Sequence, residues 1–190
     1  VPDGEEARVF PVFLRLEGRW VLVAGAGQVA ARKIASLLEA GARVRVVAPE
    51  ATDEVRRWAE EGRVAWSQRK LEADDVDGAR LVVAATSDPE AQRLALEAAE
   101  ARGVFVVAVD DPPNATAYGG AVIRRPPFVV AVSSSGVAPA LTRLVREVIE
   151  EVLPAGDVVE TARRLRDRWK AEGKPMGERF AELVKVIAGR

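Results

Sequence analysis

Three short stretches of this chain combine a backbone turn with the side chains that chemistry needs. The first is Gly25-Ala26-Gly27-Gln28-Val29-Ala30, which lies between an apolar run at 20–24 and a helical pattern that begins near Val29. It reads G-x-G-x-x-A in the strand-turn-helix context of a dinucleotide fingerprint. Gly25 permits the tight turn, Gly27 lets a pyrophosphate approach the backbone, and Ala30 allows close packing of helix on strand. The free N–H groups of the helix start can then meet the phosphates. A structural glycine turn is the plain alternative, and the flanking strand and helix favour the nucleotide site. Strand ends supply the next candidates. Ala48-Pro49-Glu50 offers Glu50 to a ribose diol, offset from the usual position, and no Arg cluster follows to take a 2′-phosphate. NAD is therefore favoured over NADP.

The second stretch is Asp110-Asp111, closing the apolar run 104–109. A carboxylate at the end of a buried strand can be desolvated enough to serve as a general base. Helix capping or turn formation before Pro112 explains the same residues equally well. The third stretch is Ser133-Ser134-Ser135-Gly136, between a strand pattern and a helix with Pro139 near its start. It makes either an anion site or a plain helix cap, and the cap is the favoured reading. A basic run follows later, with Arg163, Arg164, Arg166, Arg168, Lys170 and Lys174. A solvated helix face is the default for such a run; a surface for a polycarboxylate or a partner chain is the sharper alternative. The four Trp residues sit in apolar patterns and read as core or interface.

The elements that position these stretches alternate strictly at first. Strands are expected at 20–24, 44–47, 64–66, 81–85 and 104–109, with helices at 29–40, 52–61 and 89–102. This rhythm predicts a parallel sheet with helices on both faces. Ligands of such sheets bind at the carboxyl ends of the strands, here 25–29, 48–50, 86–88 and 110–111. The run 104–109 is wholly apolar and is expected to be a central strand covered on both faces. The rhythm changes after Asp111. Two strands at 121–125 and 128–132 and helices at 138–152, 158–171 and 178–188 are expected, with boundaries near 112 and 154.

Composition removes whole classes of chemistry. The 190 residues contain no His and no Cys. Imidazole acid–base catalysis, Ser-His-Asp triads, thiolate nucleophiles and the usual zinc sites are excluded. Proton transfer must use Asp, Glu, Lys, Tyr or water. Lys plus Arg total 28 against 29 Asp plus Glu, a balance that argues against general nucleic-acid binding. No apolar run approaches the ~20 residues of a membrane span, and residues 1–6 carry no signal-peptide pattern. A cytoplasmic location is expected.

Together these stretches resemble the precorrin-2 dehydrogenase / sirohydrochlorin ferrochelatase family, the N-terminal module of multifunctional siroheme synthases. The resemblance is carried by Phe10-Pro11-Val12-Phe13-Leu14, residues 23–33 (VAGAGQVAARK), Leu38-Glu39-Ala40-Gly41-Ala42 and Ala84-Ala85-Thr86-Ser87-Asp88. It continues through residues 107–112 (VAVDDP), residues 130–139 (VAVSSSGVAP), Leu144-Val145-Arg146-Glu147 and Met176-Gly177-Glu178-Arg179. These span roughly residues 10–180, and their order is far more specific than the glycine turn alone.

The resemblance implies an α/β chain in three parts. These are an NAD-binding Rossmann-type domain at 1–111, a dimerisation region at 112–153 and a small helical C-terminal domain at 154–190. It implies a homodimer that oxidises precorrin-2 to sirohydrochlorin with NAD in siroheme or cobalamin biosynthesis, with Asp110 as general base. NAD contacts are expected at Gly25, Gly27, Gln28, Val29, Pro49, Glu50 and Thr86, and substrate contacts at Ser134, Ser135 and Gly136. Ser134 stands where some members are phosphorylated. No metal ligand, nucleic acid or membrane is expected. Two departures stand out: residues 117–121 read AYGGA where many relatives carry an aromatic residue and a Pro, and the family's Gly-Gly in the serine loop is Ser135-Gly136. The methyltransferase part of siroheme synthases is expected to be absent. The alternatives are a bifunctional dehydrogenase and ferrochelatase, and a non-catalytic NAD- or tetrapyrrole-binding module.

Overall fold

A computed structural model describes residues 9–135, 137–154 and 156–188. The chain forms two compact units that meet in sequence at Gly119 and Gly120.

The first unit is a five-stranded parallel sheet in the order β3-β2-β1-β4-β5. Its strands are β1 (Trp20–Ala24), β2 (Arg43–Val47), β3 (Val64–Ser67), β4 (Leu81–Ala84) and β5 (Phe105–Ala108). The crossovers run through helices α1 (Gln28–Glu39), α2 (Asp53–Glu60) and α3 (Pro89–Glu100), and a 3-10 turn at Ala73–Val76 lies between β3 and β4. Successive residues of β1 serve opposite faces, because side chains alternate along a strand. Val21 and Val23 pack with Ile34 of α1 and Val55 and Trp58 of α2. Leu22 and Ala24 pack with Ala95, Ala98 and Ala99 of α3 and with Val76. Helices on both faces explain why β1 and β4 are apolar throughout.

One expectation is corrected. β5 is the edge strand, not a central one, and Phe105 is 56% exposed. An apolar run reports that the faces of a strand are covered; it says nothing about which strands flank it. The free edge is closed by its own downstream loop. Val106 N–H donates to Thr116 Oγ1 at 2.8 Å, and Thr116 and Ala117 N–H both donate to the Val106 carbonyl. An exposed ladder would otherwise invite pairing with another chain.

The second unit contains an antiparallel hairpin, β6 (Ala121–Arg125) and β7 (Phe128–Val132), with helices α4 (Pro139–Val152), α5 (Gly156–Ala171) and α6 (Met176–Ala188). α4 packs on the hairpin. α5 buries Thr161, Leu165 and Trp169, a spacing of four that puts all three on one face. Glu182 of α6 ties the two last helices together. It accepts from Trp169 Nε1 at 3.0 Å and Lys174 Nζ at 2.5 Å, and pairs with Arg168. Among the described residues no helix is long and apolar enough to cross a membrane.

Candidate dinucleotide site

The strand order places β1 at the switch point, where chain connections leave for both sides of the sheet and a crevice opens. A cleft of about 600 Å³ lies there, at the carboxyl ends of β1, β2, β4 and β5. It gathers Gly25, Gly27, Gln28, Val29, Pro49, Glu50, Thr86 and Asp110 into one wall. Every cofactor-site candidate read from the sequence, together with Asp110, thus converges on a single cavity within the first unit.

The glycine turn is built as its chemistry requires. Gly25 has φ +107°, and a Cβ there would stand 2.2 Å from the Ala85 carbonyl oxygen. Only glycine lets β1 and the β4 end approach so closely. Its N–H donates to the Val47 carbonyl at 2.9 Å, locking the turn to β2. Gly27 differs: a Cβ there would meet nothing within 4 Å. It is the N-cap of α1 and supplies no side-chain cap. The first N–H groups of α1 are therefore left for an anion at the positive end of the helix dipole. Open space at Gly27 beside uncapped helix N–H groups fits the pyrophosphate of a dinucleotide.

The β2 end is braced from the neighbouring strand. Trp66 Nε1 of β3 donates to the Ala48 carbonyl at 3.0 Å, and Ala48 N–H donates to the Ser67 carbonyl. Pro49 and Glu50 follow, both exposed, with Glu50 on the cleft wall. At the β4 end, Thr86 Oγ1 accepts from Asp88 N–H at 3.1 Å, and Asp88 Oδ1 caps α3 through Glu90 and Ala91 N–H.

Asp110 is an exposed residue at the rim, with φ +58°. The expectation of a desolvated carboxylate is not met in the single chain. The β5 edge and the loop after it leave the side chain open, whereas β1 and β4 are covered. Asp tolerates the left-handed region better than most residues, yet the conformation is uncommon outside glycine. Such outliers cluster at functional sites. Asp111 behaves as turn chemistry predicts, accepting from Asn114 Nδ2 at 2.6 Å.

The serine loop belongs to the second unit. Ser134 Oγ accepts from Ala138 N–H at 3.1 Å and from Thr142 Oγ1 at 2.7 Å, so its hydroxyl caps the approach to α4. Ser135 has φ +53° and donates its N–H to Ser133 Oγ. Gly136 lies outside the described residues. The basic run is partly neutralised: Arg163 pairs with Glu160, and Arg168 and Lys174 pair with Glu182. Arg164 and Arg168 line a smaller cavity of about 290 Å³ with Thr161 and Leu165.

Ala26, Ala48 and Ser87 on the cleft wall fall within the strand ends expected to bind ligand, whereas Ala85, Gln92 and Val109 fall outside them. Ala85 and Val109 neighbour named positions and could have been included by continuity. Gln92 is different. It reaches the cleft from α3, and its only signal is a polar residue in the buried stripe shared with Ala95 and Ala99.

Comparison with known proteins agrees with this geometry. The chain is 42% identical over 183 residues to a siroheme synthase of Neisseria meningitidis serogroup C (strain 053442). It is 40% identical over 182 residues to siroheme synthase 1 of Serratia proteamaculans (strain 568). Each match covers 95% of this chain and 38% of the relative, so the chain spans well under half the length of the curated relatives it matches. A solved structure titled "SirC, precorrin-2 dehydrogenase" shares the fold, with a TM-score of 0.75 and 23% identity over 94% of this chain and 89% of that one. Residues 12–121, which contain the whole cleft, match the family described as "Putative NAD(P)-binding", and the chain belongs to that family.

Proposed function

We propose that this chain is an NAD-dependent dehydrogenase that oxidises precorrin-2 to sirohydrochlorin in siroheme or cobalamin biosynthesis, with Asp110 as general base. The observation that carries the proposal is Asp110 itself, an exposed carboxylate held at positive φ on the rim of a dinucleotide cleft. The relatives named siroheme synthase support a tetrapyrrole as the substrate class.

The oxidation breaks one C–H bond as hydride and removes a proton from a neighbouring atom, leaving a new double bond. NAD, when bound, supplies the hydride acceptor. The chain supplies the rest. Gly27 and the start of α1 would hold the pyrophosphate. Glu50 would hold the adenosine ribose diol and repel a 2′-phosphate. Asp110 would take the proton and release it to solvent, to which it is open.

The chain is further read as a cytoplasmic homodimer in three parts, 1–111, 112–153 and 154–190. The support for a dimer is the apolar surface of the middle part. No residue of α4 is buried, and Leu141, Leu144, Val148 and Val152 are exposed on it, as are Val122 and Val129 on the hairpin. Ser134, Ser135 and Gly136 would contact the substrate.

A second reading, the bifunctional dehydrogenase and ferrochelatase, is favoured by the relatives' name, because siroheme is a metallated product. Among the described residues no group of three or more acidic side chains could hold a metal ion. Fe2+ would then enter as substrate, binding the macrocycle nitrogens while Asp110 takes a displaced proton.

Anaerobic incubation of precorrin-2 with NAD tests both readings, with Fe2+ or Co2+ added last and absorbance followed throughout. NADH formed together with sirohydrochlorin is expected. Metal uptake faster than the spontaneous rate would establish the second reading. A folded, NAD-binding chain that forms no NADH would overturn the dehydrogenase and leave a binding module.

A further inference from the structure

Gln92 is 9% exposed, sits in the first half of α3 and faces the sheet alongside Ala95, Ala98 and Ala99. Its Nε2 donates to the Thr86 carbonyl at 2.7 Å. Its Oε1 is buried with no hydrogen-bond partner. An orphaned buried acceptor is costly, and an apolar side chain of the same length would fill the space without that cost. What the amide adds is the donor to Thr86. That bond works with two others to set the turn between β4 and α3. Asp88 N–H donates to Thr86 Oγ1, and Asp88 in turn caps α3. The carbonyl and hydroxyl oxygens of Thr86 are thereby engaged within the turn. Ser87, exposed and on the cleft wall, is the next hydroxyl along.

The sheet order says which part of the cofactor this turn meets. A dinucleotide bound in this cleft would set its pyrophosphate at the β1–α1 turn and its adenosine ribose toward the β2 end and Glu50. The β4 end lies on the opposite side of β1 from β2 and would face the nicotinamide half. We infer that Gln92 is a positioning residue for the dinucleotide: by clamping the Thr86 carbonyl it holds Ser87 where its hydroxyl meets the nicotinamide-side ribose. This rests on the cofactor reading of the cleft and is independent of the tetrapyrrole substrate.

Calorimetric titration of the full chain with NAD, ADP-ribose and ADP tests it. Gln92→Met keeps the length of the side chain and removes the amide. Ser87→Ala removes only the exposed hydroxyl and guards against a Gln92 variant that fails to fold. Gln92→Met and Ser87→Ala are each expected to weaken NAD and ADP-ribose about threefold to fivefold, while ADP stays within about twofold. The thermal midpoint of Ser87→Ala should match the parent chain. Equal weakening of all three ligands would mean that the turn merely supports the fold, and unchanged affinities would mean that it is not a contact; either result overturns the inference. A parent chain that binds none of the three would overturn the cofactor reading, and this inference with it.

Discussion

Gly25 and Gly27 stand two residues apart in the turn and do separate jobs. Gly25 holds the fold, because φ +107° and a 2.2 Å approach to the Ala85 oxygen exclude any side chain. Gly25→Ala should cost about 2–4 kcal/mol of stability in thermal or urea unfolding, from backbone strain and a clash with backbone. Gly27 faces open space. Gly27→Ala should fold with a near-parental midpoint yet bind NAD at least about tenfold more weakly in a fluorescence titration, because its methyl group occupies the phosphate approach. Parental affinity would remove Gly27 from the site. Asp110 calls for a different substitution. Asn is tolerated at positive φ, so Asp110→Asn keeps the backbone and removes the base. It should abolish NADH formation while NAD affinity stays within about twofold; retained turnover would end the proposed role. These residue types and the turn were legible in the sequence, since glycine geometry and strand-end chemistry are local. The exposure of Asp110 was not, because it depends on which strands flank β5.

Elements carry the next level of consequence. The α5–α6 pair is joined at Glu182, whose carboxylate is held below its ordinary range by hydrogen bonds from Lys174 and Trp169, with the nearby Arg168 charge adding to them. The stabilisation is complete above the unfolded carboxylate value of about 4.3 and is lost as pH falls through the lower folded value. Glu182→Gln should therefore lower the thermal midpoint at pH 7, and the two proteins should converge well below about pH 4 in circular-dichroism melts. A pH-independent difference would mean that the carboxylate charge is not what joins the helices. The two hairpin strands match the expected bounds, and all six expected helices start and end within two residues of theirs. Periodicity reports this reliably when a helix presents one apolar face. The Glu182 junction had no such signal: it joins residues from two helices across the turn between them, and nothing in a single helix announces it.

For the whole molecule, the proposed homodimer places the heaviest demand on α4. Leu144 is 56% exposed in a helix without a buried residue. Leu144→Glu should turn a dimer of the 20.4 kDa chain into a monomer by light scattering, with NAD still bound by the first unit. A parental chain that is already monomeric would sink the dimer. Read in order, the residues were enough to establish an alternating α/β unit, a dinucleotide turn at 25–30 and the strand ends that converge on one cleft. Those features follow from short-range rules of alternation, helical period and glycine backbone freedom. The position of β5 at the edge, the openness of Asp110, the Gln92 clamp under Thr86 and the shared carboxylate of Glu182 emerged only on folding. Each depends on which distant segments become neighbours. An apolar run or a lone polar residue is compatible with several such neighbours, and packing selects one.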